Sequence, residues 1–121
     1  MILKEKEDLK DMKAKLTIKN FESTSTIIFE DIKDKKFFSC VSGDEEYIVD
    51  LKEDFNIDLK SKDHTTNVRI KRKGESNIKV TDDNGSILLP ISVLAINENN
   101  GILYLVYKID DKENSISIEY I

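Results

Sequence analysis

The chain has very few of the residues that carry covalent or metal chemistry. Its 121 residues include one cysteine, Cys40, and one histidine, His64, and no tryptophan. A single cysteine cannot form an intrachain disulfide, and a structural zinc site needs about four cysteine or histidine ligands. We therefore expect no metal and no cofactor. A Cys40–His64 nucleophile pair is conceivable, but in the apolar run Phe37–Val41 the thiol is expected to pack as a buried structural side chain.

Long hydrophobic runs are also missing. The most apolar stretch, Ile87–Ile96, contains Pro90 and Ser92 and is about half the length that a membrane-spanning helix needs. Residues 1–15 carry charges from Lys4 onward and lack the apolar run of a signal peptide. With one cysteine and a net charge of −5, a soluble protein of the cytoplasm is the default expectation, with no attraction to anionic lipid.

The only proline lies inside this apolar stretch and argues against a helix there. Residues Ile87, Leu89 and Ile91 alternate with a second set of side chains, which is the period of a β-strand. The following Asn99-Asn100-Gly101 favours a tight reversal with positive φ, so 86–109 is predicted to be a β-hairpin. Pro90 then marks either a bulge or a guarded sheet edge, and we favour the bulge.

The same alternation recurs along the chain between turn-forming clusters rich in Asp, Asn, Gly and Lys. It predicts strands near 15–19, 23–32, 37–41, 47–51, 55–59, 68–70, 78–80, 86–96, 102–109 and 116–120. These segments predict an all-β fold, an antiparallel meander that closes into a small barrel with its first and last strands adjacent. Residues 1–13 are predicted to be a short helix (2–13) or a flexible tail, and 14–121 the barrel, within one domain over 1–121.

From Ala14 onward the chain resembles a family of uncharacterised bacterial proteins with a calycin-like, lipocalin-type β-barrel. The resemblance is carried by Arg72-Lys73-Gly74, by Gly85-Ser86-Ile87-Leu88-Leu89-Pro90-Ile91, and by Asn100-Gly101-Ile102-Leu103-Tyr104-Leu105-Val106-Tyr107. These correspond to an arginine–glycine turn, a glycine-led strand and a closing hairpin ending in tyrosine. The resemblance implies a barrel fold and brings no established activity and no catalytic motif.

One concentrated basic stretch, residues 68–74, contains Arg69, Lys71 and Arg72. As a strand it would place Arg69, Lys71 and Lys73 on one face, where they could grip an anionic ligand, or form a solvated face that discourages edge pairing. No aromatic residue lies between Phe55 and Tyr104, so the stacking groups of a nucleic-acid binder are missing and we expect no nucleic-acid partner.

The aromatic residues fall into two groups, one in the first half of the chain and one at its end. Closure of the barrel would bring the groups together, with Tyr104 and Tyr107 near the entry of a small apolar ligand. Arg69, Lys71, Arg72, Tyr104 and Tyr107 are therefore the candidate ligand-binding residues, although large inward side chains favour a filled interior.

These observations favour a non-enzymatic binding or interaction module that takes a small apolar ligand or a protein partner, as a monomer or weak dimer. Two alternatives stay open. One is a hydrolase or other enzyme with a site built from carboxylates. The other is an acidic inhibitory or immunity-type protein whose acidic surface meets a basic partner. The acidic turns, such as Asp44-Glu45-Glu46, lack the spacing of a calcium loop.

Overall fold

The computed structural model describes residues 12–20 and 22–121, and these residues form ten β-strands with no helix. The strands are β1 (Ala14–Lys19), β2 (Thr24–Phe29), β3 (Phe37–Ser42), β4 (Glu45–Asp50), β5 (Phe55–Lys60), β6 (His64–Ile70), β7 (Ser76–Asp82), β8 (Gly85–Asn99), β9 (Ile102–Ile109) and β10 (Lys112–Tyr120). The all-β prediction is confirmed. The helix expected over residues 2–13 lies almost entirely outside the described residues.

The strands follow one another as an antiparallel meander, in the order β2-β1-β10-β9-β8-β7-β6-β5-β4-β3. The expected adjacency of the first and last strands is confirmed, because β1 pairs with β10 from Ala14↔Tyr120 to Lys19↔Ser115. Each consecutive pair of strands is adjacent in this order except β2 and β3, which are its two terminal strands.

The chain divides into two compact units, and β8 contributes to both. Unit 1 contains residues up to Lys33 and from Val93 onward, and unit 2 contains Asp34–Ser92. The prediction of one domain over 1–121 stays a prediction. Among the described residues there is no helix of the length and apolarity that would span a membrane.

Unit 1 is built on the β1–β10 pairing. Leu16 faces Ile118, and Ile118 faces Leu103 on β9, so that three strands place fully or almost fully buried side chains in one row. The β8–β9 turn has positive φ at both Asn100 and Gly101, as the Asn-Gly sequence predicts for a two-residue hairpin.

Unit 2 contains β3 to β7 and the first half of β8, paired in chain order. Its registers align one side chain from each strand in a row across the sheet, which we call the core row. The core row consists of Phe38, Val49, Ile57, Val68, Ile78 and Leu89. The first five are at most 6% exposed, and Leu89 is half-buried. The face predicted for Leu89 is therefore the observed one, although the strand covers it less fully than expected.

Two predictions about strands are wrong. The β7–β8 register runs without an inserted residue from Ser76↔Ile91 to Asp82↔Gly85, with Pro90 opposite Asn77, so there is no bulge at Pro90. A proline fits an unbroken ladder where its nitrogen points away from the paired strand. In addition, β6 begins at His64 and ends at Ile70, so Lys71–Lys73 lie in the following turn and do not share a strand face with Arg69.

The core row generates a stability prediction. Ile57→Ala should lower the free energy of unfolding by about 2–5 kcal/mol, because Ile57 is fully buried and its truncation leaves a cavity. Leu88→Ala is the control, since Leu88 is 62% exposed and should change stability by less than about 0.5 kcal/mol. Urea denaturation measures both, and equal losses would contradict the assignment of faces.

Candidate functional site

Beside the core row of unit 2 lies a second row on the same face of the sheet, two residues further along each strand. We call it the open row. The registers align Cys40, Tyr47, Leu59, Thr66, Val80 and Ile87. These side chains are apolar or weakly polar, yet the first five are only half-buried and Ile87 is 64% exposed. An apolar strip that crosses six strands and stays in contact with water is the most unusual feature of this unit.

Cys40 and Tyr47 form one end of the open row. Burial raises the pKa of the Cys40 thiol, which therefore stays protonated at neutral pH and acts as a small apolar side chain. The side chain is half-buried, where a fully buried one was expected. The Tyr47 hydroxyl donates a hydrogen bond to Glu45 Oε1 at 2.6 Å, and this bond, together with partial burial, raises the pKa of Tyr47 to about 12.

The next residues outward along these strands are polar and form a rim at the hairpin ends. Glu45, His64 and Asp82 occupy this position on β4, β6 and β7, and His64 faces Asp82 in the β6–β7 register. The surrounding segments, 43–46, 60–64 and 82–84, contain six carboxylates and two lysines. The rim is therefore acidic, and it lies directly beside the apolar open row.

Ser61 and His64 form a hydroxyl–imidazole contact at this rim. Ser61 Oγ lies 3.0 Å from His64 Nδ1, and the same oxygen is 3.1 Å from the His64 carbonyl oxygen and 3.3 Å from its backbone nitrogen. These contacts tie the serine to the backbone of its own hairpin turn, which is the ordinary role of serine in turns. We interpret the Ser61–His64 pair as a contact that stabilises the turn, not as an activated nucleophile.

The structure does not form the Cys40–His64 pair. Cys40 lies on β3 and His64 on β6, so three inter-strand spacings, roughly 14 Å, separate their backbones. The described residues also contain no cluster of three or more potential metal ligands.

The three residues of the predicted cationic site each make a different contact within unit 2. Arg69 donates to Asp58 Oδ1 at 2.7 Å, and Asn67 donates to the same oxygen at 2.7 Å. The Arg72 guanidinium lies over the Phe55 ring, 4.5 Å from its centroid. The Lys71 backbone N–H donates to Ser76 Oγ. Arg69 and Arg72 thus contact the Asp58 carboxylate and the Phe55 ring of unit 2. Arg69 lies on β6, and Lys71 and Arg72 lie in the turn that follows it.

Tyr104 and Tyr107 lie on β9 in unit 1, three residues apart and therefore on opposite faces. Tyr104 is 42% exposed, whereas Tyr107 is buried and its burial raises its pKa to about 12. Their role in ligand binding stays a prediction.

Sequence reasoning missed the open row. Tyr47 and Ile87 were placed on strands, but only the strand registers show that they share a row with Leu59, Thr66 and Val80. Thr66 lay outside the strand predicted at 68–70. The signal that could have found the row is the common spacing of the hairpins, read together with the turn types.

Comparisons with known proteins give a structural likeness. No family model matches the chain, and no curated protein matches it. The crystal structure of the ywiB protein from Bacillus subtilis is similar over 90% of this chain and 87% of that chain, with 16% sequence identity and a TM-score of 0.38.

The Arg69–Asp58 contact generates a prediction about the cationic residues. Arg69→Met should lower the free energy of unfolding by about 1–2 kcal/mol, because it leaves the half-buried Asp58 carboxylate without its charged donor. Lys71→Met removes an exposed cation and should change stability by less than about 0.5 kcal/mol. A double-mutant cycle with Asp58→Asn, followed by urea denaturation, measures the coupling; zero coupling would show that the contact is not structural.

The Tyr47–Glu45 bond generates a pH prediction. Because the folded-state pKa of Tyr47 is raised to about 12 above an unfolded value near 10, its contribution to stability is complete below pH 10 and is lost between pH 10 and 12. Glu45→Gln should lower the pKa of Tyr47 towards 10. NMR titration of labelled tyrosine measures it, and Glu46→Gln, on the opposite face of β4, should leave the pKa unchanged.

Proposed function

We propose that the protein is a non-enzymatic, calycin-like binding module that holds a small molecule with an apolar body along the open row. The observation that carries the proposal is the incomplete burial of six adjacent apolar or weakly polar side chains beside a core row in which five of six side chains are buried. A soluble protein gains nothing in stability from leaving such a strip wet, whereas an apolar ligand placed on it would remove that surface from water.

The rim supports a more specific ligand class. Glu45 and Asp82 stand next to the row, and the adjoining turns add further carboxylates. A neutral or cationic polar group on the ligand would be accepted there, while the carboxylate of a fatty acid would meet like charge. Next to the rim, the Tyr47 hydroxyl of the open row donates to Glu45, and its oxygen can still accept a hydrogen bond from a neutral donor on the ligand.

The meander order with β1 beside β10 supports the calycin-like part of this proposal, because adjacent first and last strands are characteristic of such folds. For an enzyme with a carboxylate-based site, the described structure offers less support. Asp58 is committed to Asn67 and Arg69, and Ser61 is tied to its own turn.

Binding of a neutral apolar fluorophore such as Nile red tests the proposal. Wild-type protein should bind the dye with a micromolar dissociation constant. Ile87→Ser should weaken binding about fivefold, since removing roughly half of the contact area of an isoleucine costs about 1 kcal/mol. The matched control is Leu88→Ser, which alters the neighbouring residue on the opposite face, with nearly the same exposure (62% against 64%).

Equal weakening by Ile87→Ser and Leu88→Ser would contradict the placement of the ligand on the open row. Absence of dye binding to the wild-type protein at tens of micromolar would contradict the binding function itself. Oleate should compete more weakly than an uncharged or amine analogue of the same length, because of the acidic rim.

A further inference from the structure

The two terminal strands of the sheet have an unusual composition. Among the ten described strands, only β2 and β3 contain no charged residue, and these are the two strands at the ends of the strand order. Terminal strands normally carry lysine, proline or other charges that prevent pairing with another chain. β3, with the sequence Phe-Phe-Ser-Cys-Val-Ser, has none of these devices, while Gly85–Ile91 at the other end of the unit 2 sheet contains Pro90.

The backbone of β3 has a defined side available for pairing. The Lys36 carbonyl accepts a hydrogen bond from the Leu51 N–H at 2.7 Å, so the even-numbered residues of this segment direct their backbone groups to β4. The N–H and C=O groups of Ser39 and Val41 and the C=O group of Phe37 therefore point to the side on which β3, as a terminal strand, has no neighbour in the strand order. The Phe37 N–H already donates to the Asp34 carbonyl at 3.3 Å.

The side chains of the same three residues lie on the outer face of unit 2, opposite the core row. Val41 is 71% exposed and Phe37 is 43% exposed, and Ser39 between them is also exposed. β3 is thus a terminal strand without charged residues or proline, and it carries two exposed apolar side chains.

We propose that β3 is a self-association edge that pairs antiparallel with β3 of a second copy of this chain. A two-fold axis at Ser39 places Ser39 opposite Ser39 of the second copy and Phe37 opposite Val41 of the second copy. This register forms about four backbone hydrogen bonds and keeps the outer faces of both sheets on the same side. It covers the two most exposed apolar side chains of β3 with each other, and the isologous contact closes into a dimer.

The charges that flank β3 fit a second copy. Lys35 and Lys36 precede the strand, and the Lys52 ammonium lies over the Phe37 ring, 4.9 Å from its centroid. Asp44, Glu45 and Glu46 follow the strand. Antiparallel self-pairing sets the basic end of each β3 beside the acidic end of the other, whereas parallel pairing would set like charges together.

The other terminal strand, β2, fits this role less well. Its sequence, Thr-Ser-Thr-Ile-Ile-Phe, exposes small hydroxyl side chains over its first half, and Ile28 is its only large exposed apolar residue. No block of opposite charges flanks it as the lysines and carboxylates flank β3.

Sedimentation velocity over a range of concentrations tests the proposed dimer. The wild-type chain should show a monomer–dimer equilibrium at micromolar concentrations, and Val41→Lys should weaken it at least tenfold. Glu46 faces position 41 across β4 and gives the new lysine an opposite charge, so we expect this variant to fold, as far-ultraviolet circular dichroism would verify. The matched control is Leu88→Lys, an exposed outer-face site on β8, which should leave the equilibrium unchanged.

Cross-linking tests the register independently. Ser39→Cys in a Cys40→Ser background should form an intermolecular disulfide under mild oxidation, because the paired Cα atoms lie about 5.5 Å apart, within the range of disulfides. Val41→Cys in the same background should cross-link at least fivefold more slowly, since its counterpart is Phe37.

Three results would overturn the proposal. The first is a wild-type chain that stays monomeric at several hundred micromolar. The second is a dimer that Leu88→Lys disrupts as strongly as Val41→Lys. The third is a series of larger species that Ile28→Lys abolishes, which would indicate head-to-tail pairing of β2 with β3.

Discussion

The backbone register of the six paired strands in unit 2 is the constraint on which the site depends. Each hairpin fixes which residue faces which, and the five registers act together to align whole rows of side chains across the sheet. A shift of one residue in any strand would move its core-row side chain to the outer face of the sheet. The same constraint that packs Val49 against Ile57 therefore also assembles the open row, whose residues are spread from position 40 to position 87.

The charges of unit 2 are arranged along its strands and not only across its faces. The hairpin ends next to the open row are rich in carboxylates, whereas the opposite ends, in segments 34–36, 52–54 and 71–75, hold six cations and four carboxylates. The net acidity of the whole chain conceals this separation. Unit 2 therefore has an acidic end, next to the open row, and an opposite end that is richer in cations and contains the basic stretch around Arg72.

Much of the fold was predictable because alternation and turn chemistry are local. Asn100-Gly101 specified its turn, and the adjacent first and last strands followed from the meander. Registers were not predictable, since they depend on how several hairpins agree with one another. The extent of β6 was underestimated because His64–Asn67 is polar, with Asn67 held by Asp58 from the neighbouring strand. The pairing of Arg69 with Asp58 was not predicted for a related reason. Alternation shows which face of the strand Arg69 lies on, but not that Asp58 of the neighbouring strand lies beside it.

The pairing of β1 with β10 has a consequence for how the protein is made. Leu16 packs opposite Ile118, about 100 residues later, so unit 1 combines segments from both ends of the described chain, while unit 2 is built from consecutive hairpins. Local contacts form quickly and distant ones slowly. During synthesis the consecutive hairpins of unit 2 can pair as they emerge, whereas β1 must wait for β10, the last strand. The β1–β2 hairpin then has no β10 to pair with over that interval, so its apolar side chains stay exposed for longer than those of unit 2.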